Sequence, residues 1–283
     1  MELAVAQWNS TSQDLQHTPE KILMLHGMGG TGALWRPLAI ALENEFDVLA
    51  PDQRGHGKSR VTSQAGGREE TLYTPLAYGQ DLVETLEARQ FYPTWVLGHS
   101  MGVRSACALA HLRPDWVKGL IIIDLGFSGM AGGGLGQDLA DFIRILPERF
   151  DSRAEARAFM VRCPDPAIAQ YLMAVTIAEA AGSQAIVFPF DHAALIATIE
   201  AARDSSVRGW VTEFLQTGKP LLVLRGARSL VWSHEEFEQE RKSFAWAPNA
   251  RFLEVEGAGH GLPFEKRVEL AAMIRELAGN AGP

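Results

Sequence analysis

Six short apolar runs constrain this chain more than any other feature. They are "KILMLHG" (21–27), "FDVLAPD" (46–52), "TWVLGHS" (94–100), "GLIIIDLG" (119–126), "PLLVLRG" (220–226) and "RFLEVEG" (251–257). Runs this uniformly apolar suit strands buried on both faces, a property of parallel sheets. Helical patterns lie between them. "GALWRPLAIALEN" separates the first two runs and "TPLAYGQDLVETLEARQ" the next two. "SMGVRSACALAHLRPDW" follows the third, with Pro114 marking its end, and "VELAAMIRELAG" closes the chain. The alternation predicts an α/β fold, a mostly parallel sheet with helices on both faces. The opening "ELAVAQWN" alternates and reads as an edge strand.

The rhythm breaks between Phe127 and Gly218. That segment opens on "GMAGGGLGQ", which reads as a flexible joint. It continues with helical stretches such as "LADFIRILPERF", "AIAQYLMAVTIAEAA" and "HAALIATIEAAR". Its insertion just after a strand end predicts a helical cap over residues 127–218, with core residues 1–126 before it and 219–283 after it. A separate domain or a sheet-packing bundle is the alternative.

A length of 283 residues, 47% of them hydrophobic and 21% charged, allows a sizeable core. The formal net charge of -8 comes without a basic block. This argues against nucleic acid or an anionic membrane as partner and for a small-molecule substrate. Cys107 and Cys163 make no disulfide framework, and Cys107 falls where the helix after Ser100 should be buried. The N-terminus lacks a signal-peptide pattern and no run is long enough to span a membrane, so a cytoplasmic protein is expected. Nothing in the sequence calls for a cofactor or a metal.

The chemistry gathers at strand ends. "GHSMG" (98–102) places Ser100 between two glycines where a strand must turn sharply into a helix. This is the pattern of a nucleophile elbow, with an N-capping serine as the plain alternative. "LHGMGG" (25–30) is a glycine-rich loop at the end of the first apolar run. It matches no phosphate-binding pattern. It suits an oxyanion donor at Met28, paired with the amide of Met101 after the nucleophile. In "PDQRGHGKS" (51–59), Asp52 and Arg54 are expected to pair across a tight turn, a structural role preferred over a metal role for Asp52 and His56. His26 also reads as structural. A serine needs a base. His99 is expected to point away from its neighbour Ser100. His17, His111, His192 and His234 lie in a loop, late in a helix, in the cap and in a post-strand helix. His260, in "GAGHGLPFE" after the last run, is placed to reach the sheet's C-terminal edge.

The ordered set "HGMGG", "PDQRGHGKS", "GHSMG", cap, "LLVLRG" and "GAGHG" resembles the α/β-hydrolase superfamily over nearly the whole chain. The resemblance implies an eight-stranded, mostly parallel sheet with a helical lid. It also implies a nucleophile at Ser100, a base at His260 and oxyanion donors at Met28 and Met101. The sequence departs from its relatives at the acid. Leu230 stands in "GARSLVWSHEE", where an Asp is usual. Asp124, at the end of "GLIIID", occupies the other site used in the superfamily and is the assigned acid. Glu235 or Glu236, in a helix start, or no acid at all, are the alternatives.

The expected reaction is hydrolysis of a carboxylic ester or thioester through an acyl-enzyme on Ser100. Carbon–carbon hydrolysis, acyl transfer, or ligand binding with little turnover remain open alternatives. Trp35, Phe188 and Phe190 are expected to line an apolar substrate pocket beside Met28 and Met101, with core packing as the alternative for each.

Overall fold

The structure, a computed structural model, describes residues 1–12, 18–60, 72–128, 135–203 and 205–280. Each apolar run forms a strand. The first five strands are β1 (Val5–Trp8), β2 (Glu20–Leu25), β3 (Phe46–Pro51), β4 (Thr94–His99) and β5 (Val117–Ile123). An insertion contributes β6 (Arg149–Phe150), β7 (Ile177–Ala178) and β8 (Ile186–Val187), before β9 (Leu221–Gly226) and β10 (Ala250–Val255) return to the main sheet. The main sheet has seven strands in the order β1-β3-β2-β4-β5-β9-β10. β1 runs antiparallel to β3, and every other pairing is parallel.

The eight strands implied by resemblance are therefore seven among the described residues. The sequence supplies six apolar runs and one alternating edge segment, and each makes one strand. The other strands among the described residues, β6, β7 and β8, pair in a separate sheet.

Side chains alternate across the sheet with the period of two that a strand imposes. Leu23, Leu25, Val96, Leu120, Ile122, Leu221 and Val223 enter one core layer. Ile22, Met24, Trp95, Leu97, Ile121, Ile123, Leu222 and Leu224 enter the other. Each such fully buried aliphatic side chain contributes about 1.5–3 kcal/mol. Helices cover both faces. α1 (Arg36–Ala41) shares its layer with the C-terminal helix, and α2 (Pro75–Arg89) and α3 (Met101–Leu112) pack together in the opposite layer. Cys107 is buried on α3, as its position predicts.

The insertion carries α4 (Leu135–Ile145), α5 (Arg153–Met160), α6 (Pro166–Val175) and α7 (His192–Arg203). It has its own apolar core, built from Phe142, Phe150, Met160, Leu172, Phe188 and Leu195 among others. It is not purely helical, because β6, β8 and β7 form a small antiparallel sheet. Next comes α8 (Arg208–Gln216), which packs on α3 and buries Val211, Phe214 and Leu215 in the main core. The expected 127–218 cap is thus split by packing, with α8 on the core side. The "GMAGGGLGQ" joint lies largely outside the described residues, as does His17. The remaining helices are α9 (His234–Ser243), α10 (Leu262–Glu265) and α11 (Arg267–Asn280).

Candidate active site

At the C-terminal end of β4 the chain turns into α3 through Ser100, whose backbone adopts φ 53° and ψ -122°. A non-glycine residue at positive φ is strained, and the surroundings must hold it there. Two glycines make the turn possible. A Cβ on Gly98 would meet the Gly102 carbonyl oxygen at 2.5 Å, and one on Gly102 would collide with the Leu25 carbonyl. The plain N-cap reading of Ser100 fails, since its side chain makes no capping hydrogen bond.

The Ser100 Oγ lies 3.0 Å from His260 Nε2, and His260 Nδ1 lies 2.7 Å from Asp124 Oδ2. The structure therefore brings together three residues distant in sequence. Asp124, itself at φ 56° just past β5, is fully buried. Its Oδ1 accepts from the Gly226 amide at 2.8 Å, and its Oδ2 also accepts from the Ser229 hydroxyl. Three donors thus hold one carboxylate. Leu230 points outward with 66% exposure. Glu236 is occupied in a capping box with Ser233 at the start of α9, where Glu235 also lies.

Ser229 is the residue that sequence reasoning missed. It stands one position before Leu230, in the loop searched for the acid, and a serine carries no sign of that partnership. His99 was read only in part. Its ring does not turn away from the site but stands 4.9 Å from that of His260. Its Nε2–H donates to the His260 carbonyl at 2.8 Å, which fixes the histidine loop from behind. Burial, reinforced by the neighbouring His260, pushes His99 down to about 3, so it remains a neutral donor.

The glycine loop is held in the same manner. His56 Nδ1–H donates to the Arg54 carbonyl, and its Nε2 accepts from the Gly29 amide at 3.0 Å. His26 donates to the Gly27 carbonyl and accepts from the Gln53 amide. Burial pushes His56 down to about 4 and His26 well below its ordinary value. Both are neutral struts, as the structural reading of these histidines expects. The expected Asp52–Arg54 pair does not form. Arg54 bonds both oxygens of the buried Asp81 on α2 at 2.7 Å. Asp52 instead accepts from the Lys58 amide in its own turn and from the Gly32 amide in the segment after β2. The Met28 and Met101 amides donate to no protein acceptor among the described residues.

Ser100 and His260 open onto a cavity of about 450 Å³. Met28 and Met101 line it, together with Tyr73, Tyr78, Ile143 and Leu172. The three expected pocket aromatics are placed elsewhere. Trp35 is buried beneath the sheet with Ile22 and Leu38, and Phe188 and Phe190 stack on each other inside the insertion's own core. Their size suits core filling, and the pocket wall falls to residues of α3, α4, α6 and α7. Among the described residues no cluster of His, Cys, Asp or Glu could hold a metal ion, and no helix is long and apolar enough to cross a membrane.

This constellation on this sheet defines a class. The model of the alpha/beta hydrolase family matches residues 22–273, and the chain belongs to that family. The chain is 34% identical over 110 residues to esterase YbfF of Escherichia coli, which is 39% of this chain and 40% of that protein. It is 32% identical over 140 residues to lipase LipV of Mycobacterium tuberculosis, which is 50% of this chain and 49% of that protein. The chain thus matches less than half the length of these two curated relatives. A marine microorganism esterase of known structure superposes with a TM-score of 0.75 at 19% identity, covering 98% of this chain and 99% of that one.

Proposed function

We propose that this chain is a serine hydrolase that cleaves a carboxylic ester or thioester of a small, partly apolar molecule through an acyl-enzyme on Ser100. The observation that carries the reading is the unbroken chain of hydrogen bonds from Ser100 through His260 to the buried Asp124. A hydroxyl aligned on an imidazole nitrogen is activated when its proton can leave along that bond. His260 takes the proton as Ser100 attacks the carbonyl, and Asp124 steadies the imidazolium that forms. The amides of Met28 and Met101 receive the oxyanion, worth about 2.7–4 kcal/mol for each donor of this kind. His260 returns its proton to the leaving group, then activates the water that resolves the acyl-enzyme. The apolar cavity under the insertion selects the substrate, and the chain's negative charge fits a small-molecule partner better than a polyanion.

The test is a serine-directed fluorophosphonate. It should add once per chain, and peptide mass spectrometry should map it to Ser100. The Ser100→Ala variant should take up none and should lose turnover of p-nitrophenyl esters. Labelling at another residue, or none on folded protein, rejects the proposal.

A further inference from the structure

The cavity is mostly apolar, with Tyr78, Gln170, Tyr171, Thr198 and Glu265 among its polar lining, and one wall formed by α3 carries a cation. Ser100 stands at the head of that helix, and Met101, Arg104 and Ser105 line the same cavity. Arg104 lies one helical turn beyond Ser100, so the two share a face of the helix. It is only 5% exposed. Its two terminal nitrogens donate to the carbonyls of Ser205, at 2.5 Å, and Ser128, at 2.7 Å, and no carboxylate among the described residues pairs with it. The Nε–H reaches no acceptor, nor does the neighbouring Ser105 hydroxyl. Burial pulls the guanidinium below its usual value, which marks a charge held at a cost.

Among the described residues Arg104 is a buried cation without a counter-charge, beside an unmet hydroxyl donor, an expensive arrangement for a wall to carry. A guanidinium has five N–H donors, of which two are taken by the carbonyls. What the described residues of this wall lack is an acceptor with negative charge. A carboxylate supplies two oxygens and one charge, and charge-assisted bonds to arginine are the strong kind. A phosphate monoester fits less well. It carries about -1.5 to -2 charges, against one cation on this wall.

We infer that the substrate of the proposed hydrolase bears a carboxylate on its acyl chain, bound by Arg104 and Ser105. The inference rests on the serine-hydrolase reading above. The acyl group stays bonded to Ser100 at the head of α3 through both half-reactions, so it is the moiety held against this wall. Residues one turn apart on a helix are about 5–6 Å apart at Cβ, which suits a carboxylate roughly four or five carbons from the scissile carbonyl.

The experiment compares matched p-nitrophenyl esters, in which a terminal carboxylate replaces a terminal methyl. The pairs are the glutarate hemiester against the valerate ester, and the adipate hemiester against the hexanoate ester. In the intact protein at least one hemiester should exceed its alkyl partner in kcat/KM by about tenfold, since each lost charge-assisted contact is large. Arg104→Met should collapse that ratio by at least tenfold, and Arg104→Lys should keep part of it. The ratio is taken within each variant, so a general loss of activity cancels. A wild-type ratio below one in both pairs, or a ratio unmoved in Arg104→Met, overturns the inference. If the intact protein turns over none of the four esters, the hydrolase reading fails on its own, and binding then decides the subsite. Glutarate and adipate should raise the melting temperature of wild type above the effect of valerate and hexanoate, and should not do so in Arg104→Met. Equal shifts overturn it.

Discussion

At the residue scale, Asp124 is where sequence and geometry meet most closely. Its carboxylate stands between His260, Ser229 and the Gly226 amide. Asp124→Asn keeps the shape but removes the counter-charge and permits the wrong imidazole tautomer. It should lower kcat by about 10⁴-fold with the fold intact, measured as ester turnover beside a thermal melt. Ser229→Ala removes one of three donors and should cost about 10- to 150-fold in kcat, in line with about 1.5–3 kcal/mol for a hydrogen bond to a charged group. Leu230→Asp should restore nothing to Asp124→Asn, because residue 230 faces solvent. Ser229→Asp in the same background should restore part of the activity, because the Ser229 hydroxyl already touches the oxygen that His260 uses. Restoration by Leu230→Asp and none by Ser229→Asp would show that the loop is misplaced. Asp124 and His260 are legible because one ends a strand run and the other stands in the glycine-framed loop just after the last run, both at the sheet edge where ligands gather. Ser229 is not, because a hydroxyl's partner is set by how a loop folds back, which spacing does not encode.

At the element scale, the core strands could be read from composition because burial on both faces leaves a continuous apolar run, and the helices from their periodicity. The two-residue strands β6, β7 and β8 leave no such pattern. Their pairings join residues far apart in sequence, Arg149 with Val187 for example, and only packing selects them. The pocket aromatics failed for a related reason, since a Phe in a cap sequence does not reveal which face it turns inward. Phe188→Ala should therefore act through stability. It leaves a void in the insertion's core at a cost of about 3–5 kcal/mol, read as a lowered melting temperature with the acyl-length preference unchanged. Ile143→Phe should do the reverse. Ile143 lines the cavity, so added bulk should shift the preferred p-nitrophenyl ester toward shorter acyl chains across an acetyl-to-octanoyl series. A changed preference in Phe188→Ala, or an unchanged one in Ile143→Phe, would reassign which side chains shape the pocket.

At the scale of the whole molecule, the same three buried histidines that hold the site tie stability to pH. His26, His56 and His99 each donate one hydrogen bond in the neutral form, and His26 and His56 also accept one at Nε2, which a proton there would destroy. Burial lowers all three below the ordinary 6.5, His99 to about 3 and His56 to about 4. The unfolded chain therefore binds protons below pH 6.5 that the folded chain refuses. Stability is fully present above that value and is lost as pH falls toward the folded-state values. Each histidine contributes a slope of about 1.4 kcal/mol per pH unit once the unfolded group is protonated, so the three together give about 4. Urea unfolding at intervals from neutral pH down to pH 5 should show this loss beginning near 6.5. Replacing His56 by Gln should remove about a third of the slope, because glutamine does not titrate and can still donate and accept. A stability curve flat through this window would mean that the three rings take up protons when folded, and the neutral struts assigned to the glycine loop and the His260 loop would have to be abandoned.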